Sequence, residues 1–314
     1  MKKAFRNIVA AGLSLLMGAG LAACGSSSTS TTTAAASSAA ATTTAAATTT
    51  ASSTTTTSSG STLSKDTETE IQVFVAASMN DAMTEVAELY NEDYPNVKIT
   101  INADSSGKLM TQIQEGASCD IFFSAAEKQM NTLEDAGLVV DGTRMDLVSN
   151  TLCVITYSGS GTKVTGLTSL GDASSIALAD GSVPVGKYTR QAMVNAGMLE
   201  AVDDVSAITT AEISEALGGV EISEQSNVSK VLSAVEEHSC EVGTTYYSDT
   251  YNHSDIEIIE QVSTDLSGDI TYPIAQIVNQ DADDTETAAA ADFLAFAESD
   301  EAKAVYEKYQ FITD

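Results

Sequence analysis

The chain has 314 residues, of which 43% are hydrophobic, and its 14 Lys and Arg against 44 Asp and Glu give a formal net charge of -30. An acidic excess of this size argues against nucleic acid and anionic membrane surfaces as partners, because both would be repelled. The two histidines and four cysteines lack metal-ligand spacing, and there is no nucleophile elbow or glycine-rich nucleotide loop. These absences argue against an enzyme.

The N-terminus is typical of an exported lipoprotein. Lys2, Lys3 and Arg6 precede an apolar run that ends at Ala23, which predicts a signal peptide over residues 1–23. The last residues of the run, Leu-Ala-Ala-Cys-Gly, resemble a bacterial lipobox, in which Cys24 is lipidated and becomes the mature N-terminus. Acyl chains on Cys24 would hold the protein at the outer face of the cell membrane. The alternative is ordinary signal-peptide cleavage, which would leave a free thiol at Cys24.

Residues 24–64 predict a tether rather than a folded domain. After Cys24 they are almost entirely Ser, Thr, Ala and Gly without charge, and such a segment cannot bury a core. Residues 65–314 are then the folded part. About 250 residues suffice for two lobes or one large domain.

The folded part opens with a strand and a helix. Ile71–Ala76 is apolar and β-branched, as a buried parallel strand should be. Ser78 then precedes a helical pattern, and Asp81 three residues later suggests a capping box. Pro95 closes the segment.

A second strand and helix follow at once. Val97–Asn102 predicts the strand, and Ser106 with Gly107 leads into a helix over Lys108–Glu115. Two helix N-termini with serines therefore lie at the carboxyl ends of neighbouring strands. Free backbone N–H groups, the positive end of the helix dipole and hydroxyls suit an anion there. The alternative is that Ser78 and Ser106 are ordinary helix caps.

The remaining pattern alternates strands with helices. Apolar runs predict strands over Ile121–Ser124, Asn150–Thr156, Ile176–Ala179, Val242–Tyr246, Ile256–Glu260 and Tyr272–Val278. Helical periodicity covers Glu127–Ala136, a segment from Val185 or Lys187 to Gly197, a segment after Ser226 and Asn227, and Asp284–Tyr309 with a break near Ser299. This alternation favours an α/β fold with mostly parallel sheets flanked by helices. Ligands of such sheets bind at the carboxyl ends of the strands, where helices begin at Ser78, Ser106, Val185 and Val228.

The three cysteines of the folded part are predicted to be buried thiols. Cys119, Cys153 and Cys240 each lie in or beside an apolar strand-like run. One disulfide with one free thiol is the alternative.

Several segments resemble one known family. In chain order they are VFVAASMNDAM, SSGKLMTQIQEGASCDIFFSA, NTLCVI, VPVGKY, SNVSKVLSAVEE, VGTTYYSDT and TYPIAQIV. They follow the order seen in the molybdate-binding (ModA) proteins of ABC importers, and the resemblance covers nearly all of residues 70–314. It implies a two-lobed periplasmic-binding-protein fold of type II, with two hinge crossings. Lobe 1 would be residues 65–152 plus 273–314, and lobe 2 residues 153–272.

The resemblance also implies a ligand and its contacts. The ligand would be molybdate or tungstate, held by neutral hydrogen-bond donors without a cofactor or a directly coordinated metal cation. Ser78 and Ser106 would donate from hydroxyl and backbone N–H, Val185 and Val228 from backbone N–H alone, and Tyr246 from its phenol. Bound ligand would be delivered by a monomer to the membrane permease of the importer.

Asp104 is one of three departures from the family pattern, the others being the loop Asp180–Val183 and Gln310. Asp104 stands where the family has a small or uncharged residue, and a carboxylate facing the cleft would repel a dianion or accept a proton from phosphate. We expect Asp104 to point to solvent. An acceptor-free site would disfavour monohydrogen phosphate, because its proton would be left unpaired.

Three other functions compete with this one. The first keeps the fold and changes the ligand to sulfate or phosphate. The second is a secreted enzyme, which would need titratable groups in the cleft. The third is a Ser/Thr-tethered surface lipoprotein with no transport role, which does not explain four helix starts at strand ends.

Overall fold

Two five-stranded sheets, each flanked by helices, make up the part of the chain that the computed structural model describes, residues 63–313. The strands are β1 (Thr69–Ala76), β2 (Val97–Asp104), β3 (Ile121–Phe123), β4 (Met145–Asn150), β5 (Leu152–Tyr157), β6 (Ser175–Ala179), β7 (Glu221–Gln225), β8 (Val242–Tyr246), β9 (Ile256–Gln261) and β10 (Ile270–Gln276). The α-helices are α1 (Asn80–Asp93), α2 (Ser106–Gln114), α3 (Glu127–Asp135), α4 (Pro184–Asn195), α5 (Thr210–Ala216), α6 (Val228–Glu236), α7 (Thr264–Ser267), α8 (Asp284–Ala297) and α9 (Asp300–Lys308). The predicted α/β class is confirmed.

The two sheets share one pairing pattern. The first has the order β2-β1-β3-β10-β4 and the second the order β7-β6-β8-β5-β9. In each, three neighbouring strands pair in parallel, and the two remaining pairings are antiparallel. The parallel strands are followed by helices, which cover the sheet faces and leave the helix starts at one edge.

The chain crosses between the sheets twice. It leaves the first sheet after Asn150 and enters the second at Leu152, with only Thr151 between the two strands. It returns between Gln261 and Ile270, where α7 lies. We expected one strand over Asn150–Thr156, and this is wrong because β4 and β5 are separate strands in different sheets. Tyr272 lies inside β10, two residues after that strand begins in the first sheet.

Both ends of the described chain belong to the first lobe, which is the lobe built on the first sheet. β1 is the first strand of that sheet, and its neighbour β10 leads to α8 and α9. Helix α9 packs beside α1, where Lys308 forms an ion pair with Glu85 at 2.6 Å. Tyr306 of α9 is fully buried, and its phenol donates to the Ala297 carbonyl at 3.1 Å. The predicted break near Ser299 is confirmed, because Ser299 caps α9.

Four elements were missed by the sequence analysis: β4, α5, β7 and α7. The three cysteines Cys119, Cys153 and Cys240 are buried free thiols, as predicted. Between residues 63 and 313, no helix has both the length and the hydropathy needed to span a membrane. The predicted signal peptide, Cys24 and most of the tether lie outside the described residues.

Candidate functional site

A small cavity lies where the helix starts of the two lobes face each other. Its lining residues are Ala76, Ala77, Ser78, Ser105, Ser106, Ala125, Val183, Pro184, Val185, Val228 and Tyr246. The structure therefore brings together all five residues that the family resemblance indicates. Ser106, Val185 and Val228 lie in the first turn of helices that follow a parallel strand after a short loop.

Backbone N–H donors from several helix starts lie around the cavity. Helices α2, α4 and α6 begin beside it, and a short 3₁₀ turn, Ala77–Met79, leads into α1. The first N–H groups of a helix have no carbonyl partner inside the helix, and they carry the positive end of its dipole. Because four such starts converge from two sheets, backbone N–H groups surround one small volume.

Ser106 is a buried hydroxyl with a defined hydrogen-bond direction. It is 0% exposed, and its Oγ accepts from the backbone N–H of Ala125 at 2.9 Å. The backbone N–H can only donate, so the Ser106 oxygen must be the acceptor. Its own hydrogen remains free to point into the cavity.

Ser78 does not cap α1. The N-cap of α1 is Met79, and no side-chain capping bond forms there, so the predicted capping box with Asp81 is wrong. The Ser78 Oγ instead lies 3.0 Å from the phenol oxygen of Tyr272, a residue of β10. A tertiary hydrogen bond has replaced the local one, because the 3₁₀ turn moves the helix start beyond Ser78.

The start of α4 is held by a buried arginine. Arg190, 1% exposed, donates from Nη1 to the carbonyls of Ala179 and Gly186, both at 2.8 Å, and from Nε to Ile208 at 2.7 Å. Gly186 packs so closely that a Cβ there would lie 2.1 Å from the Asp180 carbonyl. These contacts fix α4 against the end of β6, and Pro184 in the first helical turn has no N–H to satisfy.

Helix α6 begins with a conventional cap. The Asn227 Oδ1 accepts from the Lys230 N–H at 3.0 Å, which confirms the predicted cap. Val228 is the first helical residue, and its side chain is 4% exposed. Val228 lines the cavity, and its backbone N–H lies two residues before the Lys230 N–H that Asn227 caps.

Tyr246 provides the most informative side chain. Its phenol oxygen is buried, and it has no hydrogen-bond partner among the described residues. Burial raises the pKa of this phenol well above its usual value, so it stays protonated and can donate. A buried polar group without a partner costs about 1–3 kcal/mol. The natural partner is an acceptor in the cavity that Tyr246 lines.

Asp104 is turned away from the cavity but does not simply point to solvent. Its Oδ1 accepts from the Ser105 N–H at 2.7 Å, from Lys108 Nζ at 3.3 Å, and from Asn227 Nδ2 at 3.4 Å. The last contact joins the starts of α2 and α6, which belong to different lobes. The expectation of a solvent-facing carboxylate is therefore corrected to a partly buried carboxylate that bridges the lobes.

The lining contains no carboxylate, amine or imidazole. Over residues 63–313, no group of three or more His, Cys, Asp or Glu could hold a metal ion. Such a cavity can hold an acceptor-rich ligand by hydrogen bonds, and it supplies neither a general base nor a nucleophile-base pair.

The sequence analysis missed several lining residues. Ala77, Ser105, Ala125, Val183 and Pro184 also face the cavity. Each stands next to a predicted site residue or at a strand end, so the strand-to-helix signal that found the helix starts could have found most of them. Nothing local marked Tyr272, which is 194 residues from Ser78.

Comparison with known proteins gives a consistent picture. The model of a family described as bacterial extracellular solute-binding protein matches residues 71–312. A Bacillus subtilis protein named as an ABC transporter substrate-binding lipoprotein, YvgL, is 28% identical over 255 residues, which cover 81% of this chain and 90% of that protein. The molybdate-binding protein ModA of Haemophilus influenzae is 28% identical over 259 residues, which cover 80% of this chain and 93% of that protein.

A solved structure extends the similarity to three dimensions. It is named as the substrate binding domain of a molybdenum ABC transporter from Clostridium difficile. It is 30% identical and superposes with a TM-score of 0.57, covering 78% of this chain and 99% of that one.

Proposed function

The chain belongs to the bacterial extracellular solute-binding protein family, a family of binding proteins rather than enzymes, and from this premise we propose that it captures molybdate or tungstate for an ABC importer. The anion would be held in the cavity between the lobes and released to the membrane permease. The similarity to molybdate-binding relatives supports this choice of ligand.

The observation that carries the proposal is the phenol of Tyr246. It is buried without a partner in a cavity whose other polar groups are hydroxyls and backbone N–H groups at helix starts. A fully deprotonated tetrahedral anion has only acceptor atoms and would satisfy all these donors together. Ser78, Ser106, Val185 and Val228 would supply the remaining hydrogen bonds.

The same chemistry favours one class of oxyanion over another. Monohydrogen phosphate carries a proton that needs an acceptor, and the cavity lining offers no carboxylate. Sulfate has no proton and differs from molybdate mainly in size, so sulfate is the second candidate ligand. The competition between these two depends on how closely the lobes approach.

Several further features belong to the proposal. Cys24 would carry the lipid that holds the protein outside the cell membrane, and residues 24–64 would be the tether. The protein would act as a monomer whose lobes meet at the two hinge crossings, at Thr151 and between Gln261 and Ile270, close to the predicted boundaries at residues 152 and 272. The alternative of a surface lipoprotein without transport predicts no anion affinity at all.

The test is titration calorimetry of the purified full chain against molybdate, tungstate, sulfate and phosphate, with a Tyr246→Phe variant. The wild type should bind molybdate and tungstate, and the variant should bind them at least tenfold more weakly, because one buried hydrogen bond is lost.

Tyr306→Phe is the matched control. Its phenol is also buried but is already bonded to the Ala297 carbonyl, so its removal should lower stability and leave anion affinity unchanged. Binding of sulfate or phosphate in place of molybdate would overturn the ligand assignment. No heat with any of the four anions would overturn the transport function.

A further inference from the structure

Two hydrogen bonds lead from the first hinge crossing to the cavity. Asn150, the last residue of β4, contacts the phenol of Tyr272 with Nδ2 and O 3.2 Å apart. That phenol oxygen lies 3.0 Å from Ser78 Oγ. Asn150 and Tyr272 are 3% and 0% exposed, and neither lines the cavity. They form a second layer behind a hydroxyl that does.

The orientation of the Asn150 amide is fixed by its other side. Its oxygen accepts from the backbone N–H of Thr151 at 2.9 Å and of Ser248 at 3.4 Å. Backbone N–H groups only donate, so the atom that faces them must be the amide oxygen. The NH₂ group therefore faces the hydroxyl oxygens of Tyr272 and Ser248, the latter at 2.8 Å, and donates to both.

This orientation sets the direction of the next hydrogen bond. The Tyr272 oxygen receives a hydrogen from Asn150, and its own single hydrogen needs an acceptor. Ser78 Oγ is within hydrogen-bond distance. The opposite direction, with Ser78 donating to Tyr272, would leave the phenol hydrogen buried without an acceptor, which is costly. Tyr272 therefore donates to Ser78.

Ser78 then has one hydrogen left, and the cavity is where it can be used. One of its two lone pairs accepts the Tyr272 hydrogen, so the hydrogen of Ser78 is free to be donated into the cavity. The Ser106 hydrogen is also free to be donated, because its oxygen accepts a hydrogen bond from the Ala125 N–H. Both cavity serines are thus made donors by groups that stand behind them.

We propose that Asn150 is a specificity-determining positioning residue, which acts through Tyr272 to make Ser78 a hydrogen-bond donor to the bound anion. An oxyanion without a proton can accept from Ser78. An oxyanion with a proton needs an acceptor, and both lone pairs of Ser78 are available to it only when Ser78 donates its hydrogen to Tyr272, the direction that Asn150 opposes. This inference rests on the proposed function, since it presupposes a tetrahedral oxyanion in the cavity.

The decisive variant is Asn150→Asp, which keeps the shape and reverses the chain. One carboxylate oxygen can still accept from the Thr151 N–H, and the other accepts from the Tyr272 phenol in place of donating to it. The phenol oxygen then accepts from Ser78, whose lone pair turns to the cavity. Tyr272→Phe is the uncharged companion variant, which frees Ser78 to adopt either direction.

The measurement is the ratio of molybdate affinity to monohydrogen phosphate affinity at about pH 8. Both affinities come from calorimetry with the full chain, and weak phosphate binding is measured by displacement of molybdate. Both anions are then dianions, so repulsion by a new carboxylate cancels in the ratio. We expect the ratio to fall about tenfold or more in Asn150→Asp, equivalent to about 1.4 kcal/mol, and by a smaller factor in Tyr272→Phe.

Asn227→Asp is the matched control. It adds a carboxylate at the start of α6, beside Val228, and replaces the Asn227–Asp104 hydrogen bond between the lobes by repulsion of two carboxylates. It leaves the Asn150–Tyr272–Ser78 chain untouched, and Asp caps helices as well as Asn does. It should weaken both anions and leave the ratio unchanged. If the wild type binds molybdate and the ratio is unchanged in both Asn150→Asp and Tyr272→Phe, the inference is wrong and the proposed function stands. If the wild type binds no oxyanion, both are overturned.

Discussion

Gly107, the second residue of α2, lies close to the backbone of the second lobe. A Cβ built at Gly107 would lie 2.9 Å from the carbonyl oxygen of Ser182, which precedes α4 in the second lobe. That distance is shorter than a normal carbon–oxygen contact, and the obstacle is backbone rather than a flexible side chain. The Gly107→Ala variant should therefore oppose the approach of the lobes while leaving each lobe intact.

The substitution should lower molybdate affinity, which depends on the lobes meeting, and raise the stability of the ligand-free protein. Overpacking a well-packed contact by one methyl costs about 1–3 kcal/mol, and this cost applies only when the lobes meet. Molybdate affinity should therefore fall about 5-fold to 150-fold. In the separated lobe, Ala in place of Gly favours the helix by about 0.5 kcal/mol, the low end of the range because Gly107 is in the first turn. The ligand-free melting temperature should rise by about 1–2 °C.

Titration calorimetry and ligand-free thermal melts of the full chain would measure both effects. Gln114→Ala is the control, because Gln114 is exposed at the far end of the same helix and is not among the cavity residues. The control should change stability slightly and affinity not at all. An unchanged molybdate affinity in Gly107→Ala would refute the argument, because it would mean that the anion binds without this contact between the lobes.

Three other predictions each concern one group, of which Arg190 and Ser106 are buried and Asp249 is partly buried. Arg190→Lys should lower the free energy of unfolding in urea by about 2–4 kcal/mol, because one ammonium cannot reach all three carbonyls that the guanidinium bonds; an unchanged midpoint would contradict this. Ser106→Ala should cost about 1–3 kcal/mol of stability, because the buried Ala125 N–H loses its acceptor, and should weaken anion binding in calorimetry; retention of full affinity would exclude Ser106 as a ligand. Burial raises the pKa of Asp249 from 3.8 to about 6, so the folded state holds this proton more tightly than the unfolded state. Neutral Asp249 stabilises the folded state fully below about pH 4, and this stabilisation is lost as the pH rises through 6. Urea titrations should therefore show the free energy of unfolding declining over that range in the wild type relative to Asp249→Asn. Parallel pH profiles of the two proteins would disprove the assignment.

Strands and helices with strong apolar patterns were predictable, and those without such patterns were not. Strand β7, Glu221–Gln225, is an edge strand whose residues are half-buried or exposed, and its single aliphatic residue gives no alternation to detect. Helix α5 did carry a signal, since Thr209 and Glu212 form a capping box. The first hinge crossing was predicted only through the family resemblance, because apolar residues flank Thr151 on both sides and one strand or two would give the same pattern.

The residues of the site also differ in whether the sequence could predict them. Helix starts after strands are local features, so the convergence of Ser78, Ser106, Val185 and Val228 could be expected from the order of elements alone. Tyr246 came only from the family resemblance, because a tyrosine at a strand end usually packs. The contact of Asn150 with Tyr272 spans 122 residues, and no spacing rule connects such positions. The contact between Asn150 and Tyr272 forms only because β4 and β10 pair in the folded sheet.

The placement of both chain ends on the first lobe has a mechanical consequence. A force applied to the segment before Leu63 enters the protein at β1 and is borne by the first sheet and the helices packed on it. Neither hinge crossing lies on that load path, since the second lobe is inserted within the chain of the first. Separation of the lobes therefore does not displace the point near Leu63 at which the described chain enters the first lobe, relative to the first sheet.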